Sequence, residues 1–168
     1  CSFTETDQSA GLSGAFERPA LNGTLRERAL RLLARREYAR AELARKLETH
    51  AESAEALELL LDDLTARRLL SDERYAEMRI NSRSARYGNA RLSHELRTQG
   101  VSDELVEAAL ASTEDELMRA RQIWQRKFGN QPEAIDARER ARQMRFLMSR
   151  GFSGATIRRV MRGDFEDD

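Results

Sequence analysis

Two short stretches share one pattern: Leu96-Arg97-Thr98-Gln99-Gly100-Val101-Ser102 and Leu147-Met148-Ser149-Arg150-Gly151-Phe152-Ser153. In each stretch, a leucine lies four positions before a glycine, and an apolar residue and a serine follow that glycine directly. Glycine can adopt the left-handed conformation that ends a helix, and a serine hydroxyl can cap the next helix. The apolar residue between them can pack one turn into that helix as a hydrophobic staple. The stretches therefore predict a repeated connection between helices, with the structural turn residues Gly100, Ser102, Gly151 and Ser153.

The similarity extends beyond the turns. A shift of 51 residues places the segment 96–110 on 147–161, and a shift of 49 places 38–49 on 87–98. The matched residues are an apolar helical stripe plus a turn, which is typical of stacked helical units that cannot cover their apolar faces alone. We expect an all-α fold of three tandem three-helix repeats forming an elongated, curved array, with few contacts between the first and third repeats.

Apolar residues at helical spacing and capping residues divide the chain further. The predicted helices lie near 24–37, 40–49, 54–68, 72–86, 88–99, 103–111, 114–128, 132–150 and 154–162. The predicted divisions are a flexible N-terminal tail (1–23), helical repeats at 24–70, 71–112 and 113–163, and an acidic tail (164–168).

Three further caps are expected from local signals. Leu70-Ser71 with Tyr75 is expected to repeat the cap and staple, and Thr113 with Glu116 to form a capping box. Pro132 suits the first turn of a helix that begins near Gln131.

Composition bounds the class of protein. The 168 residues include 29 basic and 29 acidic side chains, only 6% aromatic residues, two prolines and one cysteine. Such a chain favours helix, and no apolar run is long enough to cross a bilayer. We expect a soluble, cytoplasmic monomer with no membrane association.

Catalytic signatures are missing from the sequence. His50 and His94 form no metal-ligand pair, and neither HExxH, CxxC nor a glycine-rich phosphate loop occurs. Carboxylates such as Glu104 and Glu107 are expected on solvated faces of third helices, without partners that would shift a pKa. We therefore expect no enzyme activity, no cofactor and no metal site.

Charge is segregated along the chain. The segment 118–163 holds twelve basic residues against three acidic ones, and Lys46 and Lys127 are the only lysines of the protein. Arginine matches carboxylate and phosphate geometry better than lysine does. Two helices are predicted to carry arginine ridges, each with residues at i, i+4 and i+7. The candidate partner- or DNA-binding residues are Arg79, Arg83, Arg86, Arg91, Arg97, Arg138, Arg142, Arg145, Arg150, Arg158 and Arg159.

Alternative interpretations of these features remain open. An arginine run can be a solvated helix face balanced by acids one turn away. Tyr87, and Trp124 with Phe128, can stack on nucleic-acid bases or pack in the core. Their positions beside the apolar stripes favour core packing.

Three segments in register resemble the bacterial regulatory protein RecX family. Tyr87-Gly88-Asn89-Ala90-Arg91-Leu92, then Glu95-Leu96-Arg97 and Gly100-Val101-Ser102, is similar to the middle repeat of that family. The third repeat resembles the stretch from Arg145 to Ser153, and the first resembles the stretch from Arg36-Glu37-Tyr38 to Leu47. The resemblance covers about residues 24–163.

The resemblance implies a nonenzymatic modulator of the RecA recombinase. Such a protein binds along the groove of the RecA filament on single-stranded DNA and limits filament extension or promotes filament disassembly. It thereby lowers ATPase, strand-exchange and coprotease activities. The alternative hypothesis is a direct DNA- or RNA-binding module driven by the arginine-rich third repeat, with single- and double-stranded DNA as ligands. A peptide-binding scaffold is a third hypothesis, which the composition favours less.

Overall fold

The computed structural model describes residues 24–129 and 135–163. Within these ranges the regular structure is helical, as predicted. A 3₁₀ turn, Glu48–His50, follows the second helix. The helices are α1 (Leu25–Arg35), α2 (Arg40–Leu47), α3 (Ala54–Ala66), α4 (Asp72–Arg83), α5 (Asn89–Thr98), α6 (Asp103–Ala111), α7 (Glu116–Phe128), α8 (Ala137–Ser149) and α9 (Gly154–Arg162).

The helices pack in threes, so that α1–α3 form repeat 1, α4–α6 repeat 2 and α7–α9 repeat 3. Each repeat has its own apolar core, because a short amphipathic helix buries its stripe against its nearest neighbours. The cores are centred on Leu43, Leu47 and Leu61 in repeat 1, on Tyr75, Ile80 and Leu96 in repeat 2, and on Ile123, Leu147 and Ile157 in repeat 3. The three-repeat prediction is confirmed. None of the described helices is long and apolar enough to cross a membrane.

The two Gly-apolar-Ser turns have the expected geometry. Gly100 and Gly151 have φ values of 82° and 88°, in the left-handed region that favours glycine. The N–H of the following residue bonds back to the carbonyl of Leu96 or Leu147, at 3.1 and 3.3 Å, as in a Schellman motif. The serine hydroxyls then cap α6 and α9. Val101 shares a core with Val106, and Phe152 shares one with Ile157.

The expected cap at α4 forms without a shared staple. The Ser71 hydroxyl accepts a hydrogen bond from the backbone N–H of Arg74. Leu70, however, belongs to the core of repeat 1 and Tyr75 to that of repeat 2. The chain passes from one repeat to the next here, so the two side chains serve different cores.

Two other local predictions are wrong, and a third falls outside the described residues. Asp115, without a side-chain cap bond, is the N-cap of α7, so Thr113 and Glu116 form no capping box. The first described turn of α8 is capped by Asp136, and the expected start at Gln131 and Pro132 lies outside the described residues. Helix α4 ends at Arg83, three residues before its predicted end.

Small residues let consecutive repeats approach closely. A Cβ on Gly88 would lie 2.3 Å from the carbonyl oxygen of Gly151, and the Gly88 N–H donates to the Arg150 carbonyl at 2.7 Å. At the other junction, a Cβ on Gly100 would lie 2.7 Å from the Cβ of Ala41. The start of a second helix thus meets the glycine turn of the next repeat at both junctions.

Carboxylates from the next repeat cap α2 and α5. The N-cap residues of these helices, Ala39 and Gly88, provide no side-chain acceptor. Instead, Asp72 accepts from the first backbone N–H of α2 at 2.7 Å, and Glu116 accepts from that of α5 at 3.3 Å. Both acids are the first residue of the first helix in their repeat. The two junctions therefore share one capping arrangement.

A buried arginine strengthens the junction between repeats 2 and 3. Arg119 on α7 is 3% exposed. Burial lowers the pKa of Arg119 because desolvation disfavours the charged form, although Glu116, Asp115 and Glu114 oppose this effect. Its guanidinium donates to the carbonyls of Ser84, Tyr87 and Glu114 and to the side-chain oxygen of Asn89.

Candidate partner-binding surface

The arginine ridge predicted on α4 does not form. Arg79 and Arg83 both turn to the half-buried carboxylate of Glu95 on α5, at 3.7 and 2.7 Å. Arg86 lies beyond the end of the helix, because the chain leaves α4 after Arg83. Two of the three candidates are thus ion-paired within repeat 2, and the third lies in the turn before α5.

The candidates on α5 are also engaged. Arg91 lies 3.5 Å from Glu95 and 4.0 Å from the ring centroid of Tyr87. Arg97 donates to Asp103 at 2.7 Å, in an exposed pair. Exposed pairs of this kind contribute little to stability and leave both groups accessible to a partner.

All three arginines of the ridge predicted on α8 lie within that helix. Arg138 and Arg145 are exposed and have no side-chain partner among the residues that the structure describes. Arg142 makes a two-pronged contact with Glu139, at 2.7 and 2.9 Å. These bonds raise the pKa of Arg142 and, together with a bond from Gln143, lower the pKa of Glu139.

The remaining candidates surround the end of α8 and lie along α9. Arg158 is exposed and Arg159 is half-buried. The half-buried Arg150 lies 5.7 Å from the ring centroid of Tyr87 and 5.2 Å from that of Phe146. Arg150 therefore joins aromatic groups of two repeats.

The aromatic residues behave differently from one another. Trp124 packs against the core of repeat 3 and donates its indole N–H to the buried Gln143 at 2.9 Å, which confirms its predicted core role. Tyr87 is only half-buried, and the guanidinium of Arg83 lies 4.5 Å from its centroid. Its ring contributes to the surface between repeats 2 and 3.

A basic cleft forms between these two repeats. It has a volume of about 480 Å³ and is lined by Arg86 and Tyr87 from repeat 2 and by Arg126, Lys127, Phe146 and Arg150 from repeat 3. We call it the inter-repeat cleft. Arg126 and Lys127 were not among the candidates, because no sequence spacing relates α7 to the turn before α5. The packing of repeat 2 against repeat 3, which includes the Gly88–Gly151 contact, brings them together.

A second basic cleft of about 380 Å³ lies within repeat 1. Its lining includes Arg28, Arg31, Arg35, Lys46 and His50. The sequence provides only the basic character of α1 and α2 as a signal for it.

The carboxylates are partly as expected. Glu104 and Glu107 on α6 are exposed. Asp63 on α3 differs, because Arg26 and Arg67 bond to it at 2.6 and 3.0 Å and lower its pKa. No group of three or more metal-ligating side chains occurs in the described ranges.

Comparison with known proteins assigns the family. Residues 71–110 match the model of the second three-helix domain of RecX, and residues 114–161 match that of the third. The chain is 49% identical to regulatory protein RecX of Leptothrix cholodnii, over 92% of this chain and 97% of that protein. It is 45% identical to regulatory protein RecX of Herminiimonas arsenicoxydans, over 88% and 97% of the two chains. The chain belongs to the RecX family.

The fold agrees with this assignment. The crystal structure of RecX from Lactobacillus salivarius superposes with a TM-score of 0.73 at 18% identity, covering 83% of this chain and 93% of that one. The relatives are named regulatory proteins.

Proposed function

We propose that this protein is a nonenzymatic regulator of the RecA recombinase. It binds RecA and its filament on single-stranded DNA in the cytoplasm. Binding limits filament extension and lowers ATPase, strand-exchange and coprotease activities during recombinational repair and the SOS response. The name of the relatives and the three-repeat array support this proposal.

The observation that carries the proposal is the charge distribution on the repeats. Arg138 and Arg145 on α8 and Arg158 on α9 are exposed and have no side-chain partner within the described ranges. Acidic residues such as Glu104 and Glu107 are exposed on α6. Separate basic and acidic surfaces on consecutive repeats suit a long partner that presents the complementary charges repeatedly. Several weak contacts made together give high avidity.

Direct DNA or RNA binding is the second candidate function, and the same exposed cations on α8 favour it. The two candidates differ in their requirements. Binding to phosphates weakens steeply with salt and needs no recombinase, whereas a protein interface requires the protein partner.

The test is the triple variant R138E/R142E/R145E. We expect it to lose inhibition of single-stranded-DNA-dependent ATP hydrolysis by the cognate recombinase, while far-UV circular dichroism shows native helicity. The protein is added at substoichiometric amounts, and DNA binding without recombinase is measured across a salt series.

The control is R68E/R140E, which reverses two exposed arginines outside the candidate set. Inhibition by the triple variant at the wild-type level would refute the α8 ridge as the contact surface. A wild type that binds DNA tightly but never inhibits would favour the nucleic-acid module.

A further inference from the structure

The inter-repeat cleft concentrates positive charge. Arg86, Arg126, Lys127 and Arg150 line it, and no carboxylate among the described residues does so. Elsewhere on repeat 2, arginines are balanced by Glu95 and Asp103. Like charges close together repel each other, and an anionic ligand relieves that repulsion.

The four cations are not equivalent. Arg126 donates to the backbone carbonyl of Ala85 at 3.0 Å, so it helps to join the two repeats that form the cleft. Arg150 lies over the rings of Tyr87 and Phe146. Arg86 has no side-chain partner among the described residues, and Lys127 contacts only ring faces there. Arg86 and Lys127 are also exposed, whereas Arg150 is half-buried, so a ligand can reach Arg86 and Lys127 without breaking an existing hydrogen bond.

The aromatic rings do not offer stacking platforms. Guanidinium groups of Arg83 and Arg91 lie 4.5 and 4.0 Å from the Tyr87 centroid. The Lys127 ammonium lies 4.3 Å from the centroid of Phe146, and the Phe146 ring also forms a T-shaped pair with Phe128. Cation–π contacts thus occupy the rings, and nucleic-acid bases need exposed ones.

The surroundings also disfavour a long polyanion. Glu95 pairs with Arg83 and Arg91 beside Tyr87. Glu139 pairs with Arg142, which lies over Phe128 next to Phe146. A phosphodiester strand that continued past the cleft would approach these carboxylates. A short anionic segment that ends within the cleft avoids the carboxylates of both Glu95 and Glu139.

We infer that the inter-repeat cleft binds an acidic peptide segment of a protein partner. Carboxylates of the segment contact Arg86 and Lys127, and one apolar side chain of the segment lies in the cleft beside Ile123. The volume of the cleft is within the range of roughly 300–1,000 Å³ that is usual for ligand sites. Only the identity of the partner rests on the proposed function.

The experiment measures fluorescence anisotropy of a labelled peptide in which glutamates flank a single leucine. The comparison probes are the same peptide with glutamine at each glutamate, and labelled oligothymidylate of equal total charge. The proteins are the wild type, R86E/K127E and the control R68E/R140E. Arg86 and Lys127 are exposed, so their reversal is expected to leave helicity intact. The milder R86Q/K127Q variant provides a second measurement if R86E/K127E does not fold.

We expect the wild type and R68E/R140E to bind the acidic peptide, R86E/K127E to bind it roughly tenfold or more weakly, and the glutamine peptide not to bind. Equal peptide binding by wild type and R86E/K127E overturns the inference, as does no binding by the wild type. Tighter cleft-dependent binding of oligothymidylate also overturns it and makes the cleft a single-stranded nucleic-acid site.

Inhibition of recombinase ATP hydrolysis is measured on the same proteins. A wild type that binds the peptide but does not inhibit contradicts the proposed function and leaves the peptide site standing. The two measurements therefore distinguish failure of the proposed peptide site from failure of the proposed function.

Discussion

Gly88 shows how one missing side chain sets the distance between two repeats. Its φ of −81° suits any residue, so only the 2.3 Å approach to the Gly151 carbonyl oxygen requires glycine. We expect Gly88→Ala to lower the free energy of unfolding by about 2 kcal/mol, because an added methyl group must displace backbone. Urea denaturation followed by circular dichroism measures this change.

Gly154→Ala is the matched control for Gly88→Ala. A Cβ there would meet only the mobile end of Arg158, at 3.4 Å. We expect it to be neutral or to stabilise by roughly 0.5–1 kcal/mol, because alanine restricts the unfolded chain. Equal effects of the two substitutions would contradict the close-packed junction.

Asp63 should make stability depend on pH. Hydrogen bonds from Arg26 and Arg67 lower its pKa below the ordinary value of 3.8. A lowered folded-state pKa contributes stability above the unfolded-state pKa, and this contribution is lost as pH falls through the folded-state pKa. We expect Asp63→Asn to melt below the wild type at neutral pH and to approach it in acid. A gap in melting temperature that persists at the lowest pH would assign the effect to packing.

At the scale of the helix, Asp72 supplies the cap that α2 lacks. Loss of an N-cap acceptor costs about 1 kcal/mol and frees the first turn. We expect Asp72→Ala to lower stability by about that amount and to speed hydrogen exchange at the first amides of α2. The effect crosses a repeat boundary, because Asp72 belongs to α4.

Glu73→Ala controls for the charge at the start of α4. Glu73 is exposed and also lies in the first turn of that helix, so its removal changes the helix dipole interaction similarly. We expect no change in exchange at α2. Faster exchange in both variants would refute the cap between repeats.

The helices could largely be predicted from the sequence because their signals are local. The glycine turns at Gly100 and Gly151, with the caps Ser102 and Ser153, follow from residues within a few positions of one another. The error at Glu116 has the opposite origin. Its spacing from Thr113 fits a capping box, but its carboxylate contacts the backbone of α5 and the turn before α9.

The contacts of the surface arginines were less predictable than the helices, because they depend on residues that are distant in the sequence. The spacing of Arg79 and Arg83 places them on one helix face, but not beside Glu95, which lies on the next helix. The inter-repeat cleft combines Arg86 with Lys127, whose proximity depends on the packing of two repeats. Periodicity within a helix contains no information on such contacts.

For the molecule as a whole, each described contact between repeats joins consecutive ones. Asp72 and Gly100 join repeat 1 to repeat 2, and Arg119, Glu116 and Gly151 join repeat 2 to repeat 3. In such arrays stability is approximately a sum of repeat terms and nearest-neighbour interface terms. A defect at one junction should therefore remain local.

Arg119→Ala tests this locality. Its removal leaves the carbonyls of Ser84 and Tyr87 without their buried donor, so we expect a loss of roughly 2 kcal/mol or more. Native-state hydrogen exchange should show faster opening in repeats 2 and 3, while amides of α1 and α3 keep their wild-type protection. Arg97→Ala, which removes only an exposed pair with Asp103, should change protection little. If Arg119→Ala reduced protection in repeat 1 as much as in repeat 3, the chain would unfold as one cooperative unit and the nearest-neighbour account would be wrong.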